Sequence, residues 1–122
     1  MVERIADMPP GTIGFRADGE LTEADYTETL GPALHEAVAA GGVRLLLVAP
    51  PGFGSGEVTE VAKRVQNLPG LGHRNDWKRV AVITDSGMLR RTARLWAPMV
   101  PVETKVFKPD EEPEARDWLA AG

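Results

Sequence analysis

The 122-residue sequence predicts an α/β domain with a five-stranded, mixed but mainly parallel sheet and about four helices. Short apolar runs with a strand-like pattern alternate with longer segments whose apolar residues recur at helical spacing. Glycine and proline mark the boundaries between these segments. Strands that alternate with helices form βαβ units, whose right-handed crossovers place parallel strands in one sheet. The length is typical of one domain, so we predict a single domain over residues 1–122.

The first two strands are expected to form an N-terminal β-hairpin. Apolar residues alternate weakly over residues 1–8 and clearly over 12–19, where Ile13 and Phe15 share one face. The run Pro9-Pro10-Gly11 between the two segments is typical of a turn. The first strand is therefore the antiparallel exception in the sheet.

The first helix is predicted to begin at Thr22, a good N-cap, with the Asp25 carboxylate in its first turn. Pro32 lies inside this segment and should kink or split the helix. The pair Gly41-Gly42 is a typical helix end. The apolar stripe of the helix consists of Tyr26, Leu30, Ala33, Leu34, Ala37 and Val38.

The remainder of the chain repeats the alternation of strand and helix. Residues 43–49 and 79–84 are nearly continuous apolar runs, as in strands covered on both faces. We expect these central strands to bury Leu46, Val48, Val82 and Ile83. A last strand is predicted over 102–107. The stripes of the three following helices are Val58, Val61, Ala62, Val65 and Leu68, then Leu89, Ala93, Trp96 and Met99, then Ala115, Trp118 and Leu119.

Composition limits the classes of function. The absence of cysteine excludes disulfides, thiolate metal sites and cysteine nucleophiles, and it favours a reducing compartment. The first residues are charged and the longest apolar run, 45–49, is too short to span a bilayer. The sequence therefore predicts a cytoplasmic protein without membrane insertion.

Charge is distributed unevenly along the chain. Residues 63–94 contain eight Lys or Arg and two acidic residues, although the whole chain has a net charge of −4. Either the domain has two solvated faces of opposite sign, or the basic part binds an anion. The acidic total argues against nucleic-acid binding.

Three stretches resemble a known family. They are Gly14-Phe15-Arg16-Ala17-Asp18-Gly19 with the helix start that follows, the strand Val43-Arg44-Leu45-Leu46-Leu47, and residues 77–85. The sequence resembles the SpoIIAA-like family, whose fold is that of STAS domains. The resemblance implies a regulatory domain that acts through protein contacts. Antagonist-type STAS domains carry a phosphorylatable serine in an Asp-Ser-Ser-Gly-like string after the strand that corresponds to residues 45–49 here. Ser55 lies in that region of this sequence, but the string is absent.

The glycine-rich loop before the second helix is the first candidate site. Phe53, Gly54, Ser55 and Gly56 follow the carboxyl end of a buried strand, where open α/β sheets place their ligands. Glycines near a helix start leave N–H groups open to negative charge. The loop is neither a P-loop nor a dinucleotide-binding fingerprint. It is either a plain connection or a surface for a partner or an anion.

The third helix is the second candidate site. Arg90 and Arg94 are spaced one helical turn apart, and as like charges they repel each other slightly. They form either a solvated outer face or the contact for a partner or anionic ligand. Trp96 belongs to the apolar end of this helix, whose exposed remainder would mark an interface.

No motif for catalysis, for a metal or for a cofactor is present. His35 and His73 lack metal-ligand spacing, and the sequence pairs neither of them with Ser55 or Ser86. We therefore predict a non-enzymatic regulatory or protein-interaction domain without a cofactor. The alternative is a binder of a small lipid-like or anionic ligand between helices and sheet. Small domains with apolar helix ends often pair symmetrically, so a homodimer is also expected.

Overall fold

One five-stranded sheet organises the molecule in the computed structural model, which describes residues 1–100 and 102–121. The strands are β1 (Val2–Arg4), β2 (Ile13–Ala17), β3 (Val43–Val48), β4 (Trp77–Ile83) and β5 (Thr104–Phe107). They lie side by side in the order of the chain. The β1–β2 pair is antiparallel and the other three pairs are parallel. The mixed, mainly parallel sheet predicted from the sequence is confirmed.

The turn predicted at Pro9-Pro10-Gly11 is present, with the Thr12 amide donating to the Pro9 carbonyl at 3.1 Å, but strand β1 is shorter than predicted. Strand β1 ends at Arg4, and residues 5–12 connect it to β2. Asp7 has a φ of 62°, which takes the chain out of the extended conformation before the prolines. Ile5 and Met8 instead pack on the sheet face that contains Leu46.

Five α-helices accompany the sheet in the described part of the chain. They are α1 (Gly31–Ala39), α2 (Ser55–Gln66), α3 (Gly87–Arg91), α4 (Ala93–Trp96) and α5 (Glu112–Ala121). The single helix predicted after β4 is divided at Thr92 into α3 and α4. The Thr92 hydroxyl donates to the Met88 carbonyl at 2.8 Å, a bond by which threonine competes with the helical backbone and bends the helix.

The start of the first helical segment matches the predicted cap. The Thr22 amide donates to the Asp25 carboxylate at 2.8 Å, and the Asp25 amide donates to the Thr22 hydroxyl at 3.2 Å. The Thr22 backbone bond lowers the pKa of Asp25. A π-helical segment over Asp25–Leu30 follows, and α1 begins at Gly31 with Pro32 in its first turn. The backbone stays helical through Leu30 and Gly31, so Pro32 coincides with the change from π to α hydrogen bonding and does not split the helix as predicted.

The two faces of the sheet are covered by different helices. On one face, α1 and α2 pack on Phe15, Leu45 and Leu47. On the other face, α5 packs on Leu46 and Ile83. Of the four strand residues predicted to be buried, Leu46, Val82 and Ile83 are 0–2% exposed. Val48 is only half-buried, because it lies at the carboxyl end of β3, so that prediction was wrong.

Arginines from the sheet close the C-terminal end of α5. Arg44 donates to the Leu119 carbonyl at 2.8 Å, and Arg79 donates to the Trp118 carbonyl at 2.6 Å. The last carbonyls of a helix have no partners within the helix, and the helix dipole favours positive charge there. The two guanidinium groups therefore fasten α5 to β3 and β4.

Candidate functional site

The predicted loop site lies where β3 passes into α2. Phe53 is half-buried and contacts both apolar clusters on this side of the sheet. Gly54 is the N-cap of α2, and its amide donates to the Glu57 carboxylate at 3.1 Å. Ser55 and Gly56 are exposed at the helix start. The carboxylate of Glu57 thus already occupies the end of α2 where an anion would bind.

An open groove of about 480 Å³ adjoins this loop at the carboxyl ends of β2 and β3. Tyr26 and Phe53 contribute to its apolar wall, and burial raises the pKa of Tyr26. Arg64 stacks on the Tyr26 ring, 4.3 Å from its centroid. The ionisable residues lining the groove are Asp18, Glu20, Glu57 and Glu60, with Arg64 the basic member. This predominance of carboxylates disfavours an anionic ligand beside the loop.

The second predicted site is divided between the interior and the surface. Arg90 is half-buried and donates to the Thr84 carbonyl at 3.0 Å, so it ties α3 to the end of β4. Trp96 is only 4% exposed, and its indole N–H donates to the Leu89 carbonyl at 3.1 Å. A buried ring cannot contact a partner, so the binding role predicted for Trp96 was wrong. Arg94 is exposed on α4, a separate short helix from that of Arg90.

Exposed apolar side chains are concentrated around these short helices. Met88, Leu95 and Met99 are 65%, 73% and 73% exposed, and Met1 is the remaining exposed large apolar residue in the described part of the chain. Met99 was predicted on the inner face, but the chain leaves the helical path after Trp96 and enters a 3-10 turn. We name Met88, Arg91, Arg94, Leu95 and Met99 the α3–α4 surface.

The α3–α4 surface was only partly visible in the sequence. Leu95 lies outside the stripe of Leu89, Ala93 and Trp96, and an apolar residue off the stripe is a signal for exposure. The structure joins the two predicted sites through the interior, because Phe53 and Trp96 belong to one apolar cluster. The grooves beside the two sites share no lining residue: Phe53 lines the one at β2 and β3, and Arg94 lines one beside β5.

A small apolar cavity lies between the sheet and α2. Its walls include Leu45, Leu47, Val61 and Val65, and its volume is about 50 Å³. Typical ligand pockets are about 300–1,000 Å³, so this cavity is small for a ligand in this conformation.

The histidines occupy different environments. The two ring nitrogens of His35 lie 2.8 Å from the Gly31 carbonyl and 2.6 Å from the Pro69 carbonyl, so its ring bridges two segments instead of being freely solvated. His73 is exposed before β4. Within residues 1–100 and 102–121, no three His, Asp or Glu side chains come close enough together to hold a metal ion.

In the described ranges, no helix combines the length and the apolar composition that crossing a bilayer requires.

Comparisons with known proteins agree on the fold. No curated protein matches the chain significantly. Among solved structures, the chain is similar to an uncharacterized DUF3478-family protein with a SpoIIAA-like fold from Shewanella loihica PV-4. The two are 27% identical with a TM-score of 0.64, and the match covers 98% of this chain and 93% of the other. The SpoIIAA-like family model matches residues 12–120. The chain therefore belongs to the SpoIIAA-like family.

Proposed function

We propose that this domain is a non-enzymatic regulatory module that binds a protein partner through the α3–α4 surface. The observation that supports it is the concentration of exposed apolar side chains there: three of the four in the described residues lie within 88–99. Scattered apolar residues are common on protein surfaces, whereas three exposed within one twelve-residue segment favour an interaction site. Methionine side chains adapt to a partner because they are flexible and polarizable.

The charges around this cluster define the partner's chemistry. Residues 86–99 contain three arginines and no acidic residue. Among the described residues, Arg91 and Arg94 have no carboxylate within 4.0 Å, in contrast to Arg64, Arg79 and Arg116. Arginine is enriched at protein interfaces because it combines charge with a flat, weakly hydrated surface. The surface is therefore suited to an acidic segment that also has apolar side chains.

The interior beneath the α3–α4 surface supports this role. Leu89 and Trp96 are buried in a cluster with Val58 of α2. The Arg90 bond to Thr84 attaches α3 to the sheet. These contacts fix the backbone that carries Met88, Leu95 and Arg94 before a partner binds, which lowers the conformational-entropy cost of binding.

The polar groups also favour a non-enzymatic role. The Ser86 hydroxyl accepts the Leu89 amide at 3.1 Å as the cap of α3. The ring of His35 bridges two backbone carbonyls. Both side chains therefore have structural partners, whereas a nucleophile and its base would need to contact each other. The alternative, a lipid-like ligand between helices and sheet, would require the 50 Å³ cavity to expand several-fold.

Site-specific photocrosslinking in the native host would test the proposed surface. A benzophenone amino acid at Leu95 should crosslink to one partner, whose attached segment is acidic. The double change Arg91→Glu and Arg94→Glu should reduce that crosslink at least about tenfold, because charge complementarity governs association.

A benzophenone at Ala39, which is exposed at the end of α1, is the matched control. Equal crosslinking from Ala39, or a Leu95 crosslink that the two charge reversals leave unchanged, would contradict the proposal. Circular dichroism of the charge-reversed variant should show an unchanged fold, since Arg91 and Arg94 are exposed.

A further inference from the structure

Each of the two outer strands of the sheet has one edge without a neighbouring strand. In the order β1-β2-β3-β4-β5, the outer edges belong to β1 and β5. An edge strand presents unpaired N–H and C=O groups that can pair with another chain. A second strand pairs with such an edge favourably only in a register that places compatible side chains opposite each other.

The direction of the backbone groups in β5 follows from its bonds to β4. The Glu103 carbonyl accepts from the Val80 amide at 2.8 Å, and the Phe107 carbonyl accepts from the Thr84 amide at 3.0 Å. Residues 103 and 107 therefore face β4. Because backbone groups alternate in direction along a strand, those of Thr104 and Val106 face the open edge.

The sequence of this edge is self-complementary. Residues 103–105 read Glu-Thr-Lys. If two copies pair antiparallel with Thr104 opposite Thr104, Glu103 of each copy lies opposite Lys105 of the other. Val102 takes no part in the pairing, because β5 begins at Thr104 and the Val102 amide already donates to the Val100 carbonyl at 2.8 Å. Opposite charges at facing positions stabilise a sheet.

The hydrogen-bonding positions fit the same register. Thr104 faces outward, so its amide and carbonyl can exchange bonds with those of the second Thr104. Glu103 and Lys105 then fall at the non-hydrogen-bonded positions, where side chains approach most closely. Both residues project to the α5 face. Glu103 lies 3.4 Å from Arg79, and Lys105 lies 5.3 Å from the Phe107 ring centroid.

Space for a second strand is present on the opposite face. An open groove of about 480 Å³ runs beside β5, and the small side chains of Ala93 and Ala97 line it together with Val102 and Val106. Side chains from positions 104 and 106 of an added β5 would project into this groove. The edge therefore has room on this face for the side chains of an added strand.

The β1 edge provides a contrast. The Ile5 amide donates to Gly14 and the Met1 carbonyl accepts from Asp18, so odd-numbered residues face β2 and even-numbered ones face outward. The corresponding symmetric register, centred on the outward-facing Arg4, would place Arg4 directly opposite Arg4. Like charges at opposed positions destabilise strand pairing.

We propose that the chain forms a two-fold symmetric homodimer by antiparallel pairing of β5 with β5 of a second copy, centred on Thr104. The dimer has one continuous sheet with five strands from each copy. This inference goes beyond the proposed partner binding and does not rest on it. Glu103, Thr104 and Lys105 are not part of the α3–α4 surface, although Arg94 of that surface also lines the groove beside β5.

Sedimentation velocity of the full chain and its variants would test the pairing. The wild-type chain should sediment as a dimer at high micromolar concentration. Lys105→Glu creates two like-charge pairs and should weaken the dimer about tenfold or more. Adding Glu103→Lys restores two opposite-charge pairs and should recover most of the affinity. Thr104→Pro removes the central donors, and proline is tolerated on an edge strand, so this variant should be monomeric.

Cysteine crosslinking would test the register directly, since the chain has no native cysteine. Hydrogen-bonded antiparallel positions have Cα atoms about 5.5 Å apart, within the range of a disulfide. Thr104→Cys should therefore form a disulfide-linked dimer under mild oxidation, and Glu3→Cys in β1 should not. A monomer at high micromolar concentration, a dimer unaffected by Lys105→Glu, or preferential crosslinking of Glu3→Cys would overturn the proposal.

Discussion

Helix α5 and the α3–α4 segment differ in how they use arginine. At α5, Arg44 and Arg79 reach from the sheet to the last helical carbonyls, and Arg116 of the helix donates to the Asp7 carbonyl at 3.0 Å. Each of these guanidinium groups therefore fixes one element to another. Their hydrogen bonds are made within the fold, where they stabilise the position of α5.

In the α3–α4 segment, only the first of three arginines is used in this way. Arg90 bonds to Thr84, whereas Arg91 and Arg94 are exposed beside Leu95 and Met99. The apolar side chains of the two regions also differ in exposure. Leu119 of α5 is completely buried, and Leu95 is 73% exposed. The comparison indicates that α5 contributes to stability, and that the α3–α4 surface is free to contribute to recognition.

The largest difference in the free energy of unfolding is expected when one leucine is truncated under α5 and one on the α3–α4 surface. Leu46 lies under α5 and is completely buried, so Leu46→Ala should lower the free energy of unfolding by about 2–5 kcal/mol. Leu95→Ala should change it by less than about 0.5 kcal/mol. Urea denaturation of both variants measures the difference. An unchanged midpoint for Leu46→Ala would show that β3 is peripheral.

A smaller contrast should appear when one arginine is removed from each region. Arg44→Ala leaves the partly buried Leu119 carbonyl without its donor, and such a loss costs about 1–3 kcal/mol. Arg94→Ala removes the same side chain from an exposed position and should stay within about 0.5 kcal/mol of wild type. Equal effects from the two substitutions would contradict the division of roles between the arginines.

Much of the fold could be predicted because its signals are local. The alternating pattern indicated β2, the apolar runs indicated β3 and β4, and the Thr22–Asp25 spacing indicated the first cap. Each of these depends on residues that are close together in the chain, so no knowledge of the tertiary structure is needed.

The candidate surfaces depend on contacts between distant residues and were harder to predict. Whether Trp96 or Leu95 faces the interior depends on the break at Thr92, which a helical stripe does not reveal. Arg44 bonds within the fold because its acceptor, the Leu119 carbonyl of α5, lies beside it in space although it is 75 residues away in the chain. The opposite charges of Glu103 and Lys105 are visible in the sequence, but their relevance to pairing depends on β5 being an edge strand.

The smallest expected difference is in how low pH affects the α3–α4 surface and the first helical segment. Residues 86–99 contain no carboxyl or imidazole group, so the α3–α4 surface itself does not titrate between pH 2 and pH 7. The first helical segment, by contrast, begins at a carboxylate that is part of the packed structure. Asp25 accepts from the Thr22 amide, and this bond holds its pKa below the ordinary value.

The sign of the resulting pH dependence follows from the lowered pKa. The unfolded chain binds a proton at Asp25 more readily than the folded chain does, so the carboxylate stabilises the fold above the ordinary aspartate pKa of about 3.9. That contribution is lost as the pH falls through the lower pKa of the folded state. Asp25→Ala should therefore cost about 1 kcal/mol at pH 7, as for other lost caps, and progressively less in acid. Urea unfolding of both proteins from pH 7 to pH 2 would measure this, with Glu114→Ala as the control for losing one exposed carboxylate. A difference that stays constant with pH would show that Asp25 stabilises the helix start by packing and not through its charge.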